Sequence, residues 1–378
     1  MKYLISGGGT GGHIFPAVSI ANALCELDKD ADILFVGALG RMEMERVPEA
    51  GYKIVGLPIR GFNRSQPWKN VSVLIDLARS LRQAKKIVRE FRPDVAIGVG
   101  GYASGAAMKA AAWAHIPVLL QEQNGFAGVT NKLLRNDAAK ICVAYPHMER
   151  FFPEDKIILT GNPVRANLTQ GSPEAACTFF NDKFGVSFTT DRPTLLIIGG
   201  SLGARTINES ILQELPRLLD AGIQIVWQTG KTYYDKCAEQ ARSLASGQNA
   251  DAAIHSRLVV TAFLNNMPDA YALADVVISR AGASSISELC LLGKASVLVP
   301  SPNVAEDHQT HNAMALVSQN AALLVKDADA PLRLVPTALR LLENKDQCAA
   351  LRKNILTLAQ PDSARRIAEE VIKLVPKH

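Results

Sequence analysis

Residues 7–13, Gly7-Gly8-Gly9-Thr10-Gly11-Gly12-His13, follow the short apolar run Tyr3-Leu4-Ile5 and precede a helical pattern that begins near Phe15. A strand running into a glycine loop and then a helix offers bare backbone N–H groups at the positive end of a helix dipole. Phosphate or diphosphate binds in such places. The same device returns half a chain later. Leu195-Leu196-Ile197-Ile198 runs into Gly199-Gly200-Ser201-Leu202-Gly203-Ala204-Arg205, and the next helix is expected from Thr206. Two such units, each opening its own half, predict an α/β protein of two Rossmann-like domains whose parallel sheets face one cleft.

The bulk numbers agree. A chain of 378 residues exceeds the roughly 250–300 at which a single core stops growing. Apolar content of 48% and charged content of 20% fit a soluble globular protein. No stretch reaches the roughly 18 continuous apolar residues of a membrane span, and Met1-Lys2 leads directly into a strand, unlike a secretory signal. Six scattered cysteines (25, 142, 177, 237, 290, 348) lack metal or redox spacing and read as reduced residues of a cytoplasmic protein. The net charge of +5 is mild, and no nucleic-acid partner is expected.

Strand candidates in the first half are 2–6, 33–36, 54–57, 95–99, 118–121, 141–144 and 157–160, with helices between, as in 17–27, 71–91 and 104–114. The runs are continuously apolar, as parallel strands covered on both faces are. Gly161-Asn162-Pro163 breaks the pattern, and 169–191 reads as a polar separator. The second half restarts with strands at 194–198, 224–228, 258–261, 276–279, 296–299 and 322–325, and 331–374 reads as consecutive helices. We therefore expect a first domain over 1–162 and a second over 163–359; in two-domain folds of this type a final helix, here within 360–378, can pack back on the first, although the pattern itself does not dictate it.

A dinucleotide site needs an acidic residue near the end of the second strand. Here Phe35-Val36 is followed by Gly37-Ala38-Leu39-Gly40, which disfavours an NAD-type domain. A third glycine cluster, Gly98-Val99-Gly100-Gly101-Tyr102, adds donors at the same sheet edge. His13 allows two readings: a helix-start residue bonded to local backbone, or a base that accepts a proton from an attacking hydroxyl. In Arg280-Ala281-Gly282-Ala283-Ser284-Ser285-Ile286-Ser287-Glu288, Ser284 or Ser285 could cap a helix with Glu288 in its first turn as a capping box. Alternatively, Glu288 holds the two hydroxyls of a ribose. Asp307-His308-Gln309-Thr310-His311-Asn312 is either a solvated loop or a set of groups for sugar hydroxyls.

Asp28-Lys29-Asp30 and Asp327-Ala328-Asp329 have Asp-x-Asp spacing but fall where turns are expected, so they read as surface carboxylates and no metal is expected. Across 68–91, Val71, Leu74, Ile75, Ala78 and Leu81 recur at helical spacing beside Arg79, Arg82, Lys85, Lys86 and Arg89. This is either a basic helix lying on anionic lipid or a core helix with a solvated basic face.

Taken in order, Gly8 to His13, Gly100-Gly101-Tyr102, Gln121-Glu122-Gln123-Asn124-Gly125, Gly161-Asn162-Pro163-Val164-Arg165, Gly199 to Arg205 and Arg280 to Glu288 resemble the MurG family of peptidoglycan N-acetylglucosaminyltransferases. The resemblance implies the two-domain GT-B architecture. It also implies inverting transfer of N-acetylglucosamine from UDP to the C4 hydroxyl of the muramoyl sugar on a polyprenyl diphosphate (lipid I to lipid II), at the cytoplasmic face of the membrane. By motif, Thr10, Gly11, Gly12 and Asn124 would contact the sugar or acceptor side, with His13 the candidate base and Asn124 helping to place it. Arg165 and Ser201 would serve the donor, the backbone of Leu264 would read uracil, Arg280, Ala283, Ser284 and Glu288 would hold the nucleotide, and Gln309 would bind the sugar. The chain departs from the family at His308-Gln309, where some members carry paired glutamines, and this leaves either side chain to meet the sugar O4. No cofactor is required in this scheme, because fixed N–H donors replace a metal at the departing diphosphate. The rivals are a UDP-sugar 2-epimerase, another GT-B transferase with a lipid acceptor, and a nucleotide-binding regulator without catalysis.

Overall fold

The computed structural model describes residues 1–60, 70–164, 167–200, 203–245, 256–304 and 307–376. The chain divides into two compact units, Met1–Arg165 with Gln360–His378, and Ala166–Ala359. Each is built on its own parallel sheet.

In the first unit the strands are β1 (Lys2–Gly7), β2 (Asp32–Ala38), β3 (Lys53–Leu57), β4 (Val95–Gly100), β5 (Val118–Glu122), β6 (Lys140–Val143) and β7 (Ile157–Leu159). They lie in the order β3-β2-β1-β4-β5-β6-β7, and every neighbouring pair is parallel. The helices between them are α1 (Gly11–Leu27), α2 (Glu43–Glu49), α3 (Asn70–Phe91), α4 (Tyr102–Trp113) and α5 (Val129–Leu134). Side chains alternate across the sheet: Tyr3 and Ile5 enter one apolar layer with Ile14, Ile20 and Leu24 of α1. Leu4 enters the opposite layer with Ala84, Ile87 and Val88 of α3 and the alanines of α4. Burial on both faces is why these strands read as unbroken apolar runs.

The second unit orders β8 (Thr194–Ile198), β9 (Gln224–Gln228), β10 (Leu258–Thr261), β11 (Val276–Ser279), β12 (Ala295–Leu298) and β13 (Leu323–Leu324) as β10-β9-β8-β11-β12-β13, again all parallel. Its helices are α6 (Pro173–Phe184), α7 (Arg205–Gln213), α8 (Leu215–Asp220), α9 (Tyr234–Ala245), α10 (Met267–Leu273), α11 (Ala283–Leu292), α12 (His308–Val317), α13 (Ala330–Glu343) and α14 (Lys345–Leu356). One apolar layer joins Leu195, Ile197, Ile225, Trp227, Val276 and Ile278 of the sheet to Ile207, Leu218 and Leu334 of its helices. The last helix, α15 (Ser363–Lys373), belongs to the first unit, where Ile367, Ala368 and Val371 complete the layer against α1.

Two expectations are corrected. The stretch 169–191 is not only a separator. It holds α6, whose Ser172 Oγ accepts from the Ala175 N–H at 3.0 Å, with Pro173 at the first helical position and Gly185 closing it at φ 66°. These are ordinary helix start and stop signals, masked by the polar composition around them. Helix α1 starts at Gly11, not near Phe15, because Pro16 is accommodated inside it. The six cysteines are all free thiols.

Candidate active site

In each sheet the strand order reverses direction at one point, between β1 and β4 in the first unit and between β8 and β11 in the second. Crevices at the carboxyl ends of such strands are where open α/β sheets bind ligands. Both glycine loops sit there.

In the first unit Gly7 pairs across to Gly100. The loop that follows is wedged from both sides. A Cβ on Gly8 would lie 2.2 Å from Glu43 Oε1, and a Cβ on Gly101 would lie 2.5 Å from the Gly8 carbonyl oxygen. The Gly9 N–H is not bare, as the sequence led us to expect: it donates to Glu43 Oε2 at 2.8 Å. Thr10 starts α1, and its carbonyl accepts from the His13 and Ile14 N–H groups at 3.1 and 3.2 Å. Thr10 Oγ1 lies 3.1 Å from His13 Nδ1. The His13 ring rests on the backbone of Gly100, where a Cβ would come 2.8 Å from Nε2. The first loop therefore gathers Thr10, Gly11, Gly12 and His13 at one strand edge.

Gln121 to Asn124 leave β5 at the same edge. Gln121 Nε2 donates to Asn162 Oδ1 at 3.0 Å, Asn162 Nδ2 donates to the Gln123 carbonyl at 2.9 Å, and Gln123 Nε2 donates to the Val99 carbonyl at 2.8 Å. Glu122 is buried. Its Oε1 accepts from the Asn124 N–H at 3.1 Å, and its Oε2 accepts from the Gly128 N–H and Asn131 Nδ2, each at 2.9 Å. Burial pushes its carboxyl above the usual carboxylate range, against those donors. Asn124 is thus fixed by a buried network.

In the second unit Gly203 (φ 86°) brings the glycine loop so close to the Thr229 carbonyl that a Cβ would lie 2.2 Å from it, whereas Gly200 (φ 81°) opens onto free space. Ser201 and Arg165 lie outside the described residues. Leu264 is buried. Arg280 donates from Nη1 to the Val299 and Pro300 carbonyls at 3.0 and 3.2 Å and pairs with Asp327. Its guanidinium thus braces the ends of neighbouring strands.

The capping-box reading of Glu288 is corrected. Helix α11 starts at Ala283 after Gly282, with no side-chain cap and no acidic residue in its first turn. Glu288 sits a turn further in and accepts from the Tyr271 hydroxyl at 2.9 Å. The N-terminal N–H groups at Ala283 and Ser284 have no partner inside the helix. Ser284 Oγ is buried without a hydrogen-bond partner among the described residues. The polar run 307–312 is not a loop but mostly the first turns of α12, with Asp307 in the left-handed region at φ 47°. His308 and Gln309 open that helix, and Gln309 Oε1 accepts from the Ser301 N–H at 2.9 Å, which orients its amide.

Neither Asp-x-Asp pair is a free surface pair. Asp28 accepts from the Tyr3 hydroxyl and pairs with the amino terminus, and Asp327 pairs with Arg280 and accepts from the Thr206 hydroxyl. Among the described residues, no group of three or more His, Cys, Asp or Glu is placed to hold a metal.

Helix α3 is double-sided. Val73, Ala84, Ile87 and Val88 are buried, while Leu74 and Ile75 are 56% and 50% exposed beside the exposed Arg79, Arg82, Lys85 and Lys86. Leu81 turns inward, unlike the predicted stripe, and Trp68 and the side chain of Val71 lie outside the described residues. Between α3, α4 and α5 is an apolar recess of about 300 Å³ lined by Val73, Leu77, Leu81, Tyr102, Leu133 and Leu134. Among the described residues, no helix is long and apolar enough to cross a membrane.

The N-terminal domain of glycosyltransferase family 28 matches residues 3–143, and its C-terminal domain matches residues 194–370. A Bacteroides thetaiotaomicron protein named UDP-N-acetylglucosamine--N-acetylmuramyl-(pentapeptide) pyrophosphoryl-undecaprenol N-acetylglucosamine transferase is 58% identical over 99% of this chain and 98% of its own. The chain belongs to the MurG family. A Parabacteroides distasonis member of the same name is 53% identical over 100% of this chain and 99% of its own. The crystal structure of Acinetobacter baumannii MurG superposes with a TM-score of 0.76 at 26% identity, covering 98% of this chain and 99% of that one. The GT-B fold expected of the family is thereby shown.

Two residues of these sites escaped the sequence reading. Glu43 is the carboxylate sought after β2. It lies five residues beyond Ala38 and turns back to the first glycine loop, where both of its oxygens are engaged by backbone N–H groups. Its signal was the pair of glycines at 8 and 37, both needed to make room for it. Tyr271 carried no signal, since its helix reads as core.

Proposed function

We propose that this chain transfers N-acetylglucosamine from UDP-N-acetylglucosamine to the C4 hydroxyl of the muramoyl sugar of lipid I, inverting the anomeric centre and yielding lipid II for peptidoglycan synthesis. The observation that carries this reading is 58% identity along nearly the whole chain to a transferase of that name. The first unit takes the acceptor and the second takes the nucleotide sugar.

The acceptor oxygen attacks C1, its proton passes to His13, and the C1–oxygen bond to UDP breaks with both electrons leaving on the diphosphate. For Nε2 of His13 to be the accepting atom, Nδ1 must carry the ring proton, and Thr10 Oγ1 at 3.1 Å is placed to accept it. A base held near its proton contributes roughly 10²- to 10⁴-fold. Asn124, pinned by Glu122, orients the hydroxyl beside it. Charge on the departing diphosphate is met by the second glycine loop, including the Ser201 N–H, and by the N-terminus of α11, donors that strengthen as charge grows. Arg165 serves the same donor side. Glu288 holds the ribose, the Leu264 backbone meets uracil, and Gln309 with His308 meets the sugar hydroxyls. This scheme assigns no metal to the step, and the engaged Asp28 and Asp327 support that.

The lipid acceptor places the enzyme peripherally at the cytoplasmic face of the membrane. Exposed Leu74 and Ile75, the cations of α3 and the apolar recess behind them support a dock on anionic lipid. Incubation with UDP-N-acetylglucosamine and a lipid I analogue tests the reaction. Glycosylated lipid with stoichiometric UDP is expected. An epimerised donor or no turnover would overturn it.

A further inference from the structure

Glu43 is fully buried, a costly place for a carboxylate unless its oxygens are engaged. Both are. Oε2 accepts from the Gly9 N–H at 2.8 Å, and Oε1 accepts from the Ala38 N–H at 3.0 Å. Space is cleared for it on the first glycine loop and on β2: a Cβ on Gly8 would lie 2.2 Å from Oε1, and a Cβ on Gly37 would lie 2.6 Å from its Cγ. Its carboxylate thus meets the Gly9 N–H as an anionic group meets the backbone donors of a glycine loop. The loop it grips runs directly into Thr10, which makes two backbone bonds to the turn containing His13 and a third contact through Oγ1 to His13 Nδ1.

We propose that Glu43 is a positioning residue: its buried carboxylate clamps the first glycine loop from within and, through Thr10, sets the position and tautomer of the His13 ring. The inference rests on the transfer reaction proposed above, in which His13 takes the acceptor proton. Glu43 touches no substrate in this scheme. Glutamine at 43 preserves shape but turns one acceptor into a donor, which opposes either the Gly9 N–H of the loop or the Ala38 N–H that anchors the other oxygen. Alanine at Gly8 leaves the carboxylate intact and displaces it sterically. The two changes break one contact from opposite sides.

Glu43→Gln, Gly8→Ala and the double variant are compared in three measurements: kcat at saturating donor, UDP affinity by calorimetry, and the 15N spectrum of labelled histidine. The expected result is a fall in kcat of roughly 10- to 100-fold in each single variant, the cost of a misplaced reacting group. UDP affinity stays within about twofold, and the double variant is no worse than the weaker single by more than about threefold, because both act through one contact. The His13 ring signals should shift or split between tautomers in both single variants. Wild-type kcat in Glu43→Gln, losses that multiply in the double variant, or an unchanged His13 spectrum would each overturn the proposal. The spectrum needs no turnover, so it separates failure of this inference from failure of the transfer reading. If Glu43→Gln does not fold, Gly8→Ala carries the same readouts with the carboxylate in place.

Discussion

The Tyr271 hydroxyl donates to Glu288 Oε2 at 2.9 Å, tying a fully buried phenol on α10 to a half-buried carboxylate on α11. A carboxylate held on one oxygen presents the other in a set direction. Tyr271→Phe removes that hold without opening a cavity. We expect donor KM to rise about tenfold, in line with a lost hydrogen bond to a charged group, with kcat nearly unchanged. Steady-state kinetics with varied UDP-N-acetylglucosamine checks this, and a 2′-deoxy donor should lose its disadvantage in Glu288→Ala.

His13→Ala should lower kcat by about 10²- to 10⁴-fold as a lost general base while UDP affinity stays within about twofold. Calorimetry with UDP and single-turnover transfer separate the two quantities. Equal loss of both would remove His13 from the base role.

Two glycines of the acceptor loop differ in what they must avoid. Gly9 is at φ 88° with nothing near its missing side chain, whereas Gly101 at φ 90° has the Gly8 carbonyl 2.5 Å from where a Cβ would sit. Gly9→Ala should therefore cost about 1–2 kcal/mol, the left-handed penalty alone. Gly101→Ala carries that penalty plus a backbone clash and should cost clearly more. Urea unfolding of both variants compares them.

Lys294 donates to the Ala274 carbonyl at 3.0 Å, and burial, reinforced by Arg352 and opposed by Asp275, lowers its ammonium from 10.5 to about 8. Below pH 8 the folded state holds a charged buried amine at a cost. Between pH 8 and 10.5 the unfolded chain binds more protons, so this group's contribution makes stability rise with pH. The Cys142, Cys237 and Cys290 thiols, raised by burial from 9.0 to about 12, 11 and 12, oppose that rise above pH 9. The difference between wild type and Lys294→Met isolates the lysine. The variant's relative stability should decline by roughly 3 kcal/mol across that window, and denaturant titrations at pH 7 and 10.5 measure it.

Arg79, Arg82 and Lys86 of α3 face solvent beside Leu74 and Ile75. Near an anionic surface each cation contributes about 1 kcal/mol, so changing all three to Glu should weaken co-sedimentation with anionic vesicles by more than about a hundredfold. Leu74→Ser with Ile75→Ser should weaken binding to neutral and anionic vesicles alike. UDP affinity should not move in either.

Most of the fold was legible because its signals are local. Continuous apolar runs such as 195–198 and 276–279 are what a strand buried on both faces needs, and the glycine loops must follow strands to reach their positive-φ turns. The capping of α6 at Ser172 was equally local and was overlooked amid polar residues. The position of Glu288 in its helix was not legible, because one small residue, Gly282, serves as the cap in place of either serine.

The amino-acid order by itself determined two parallel α/β halves, each with a glycine loop opening a helix, since apolar periodicity and glycine's freedom at positive φ act over a few residues. Only the tertiary structure decided that the Gly9 N–H is committed to Glu43, that Tyr271 steers Glu288, and that α15 joins the first unit. Those contacts join residues far apart along the chain, and they form only when burial leaves a polar group no partner but the one that folding brings to it.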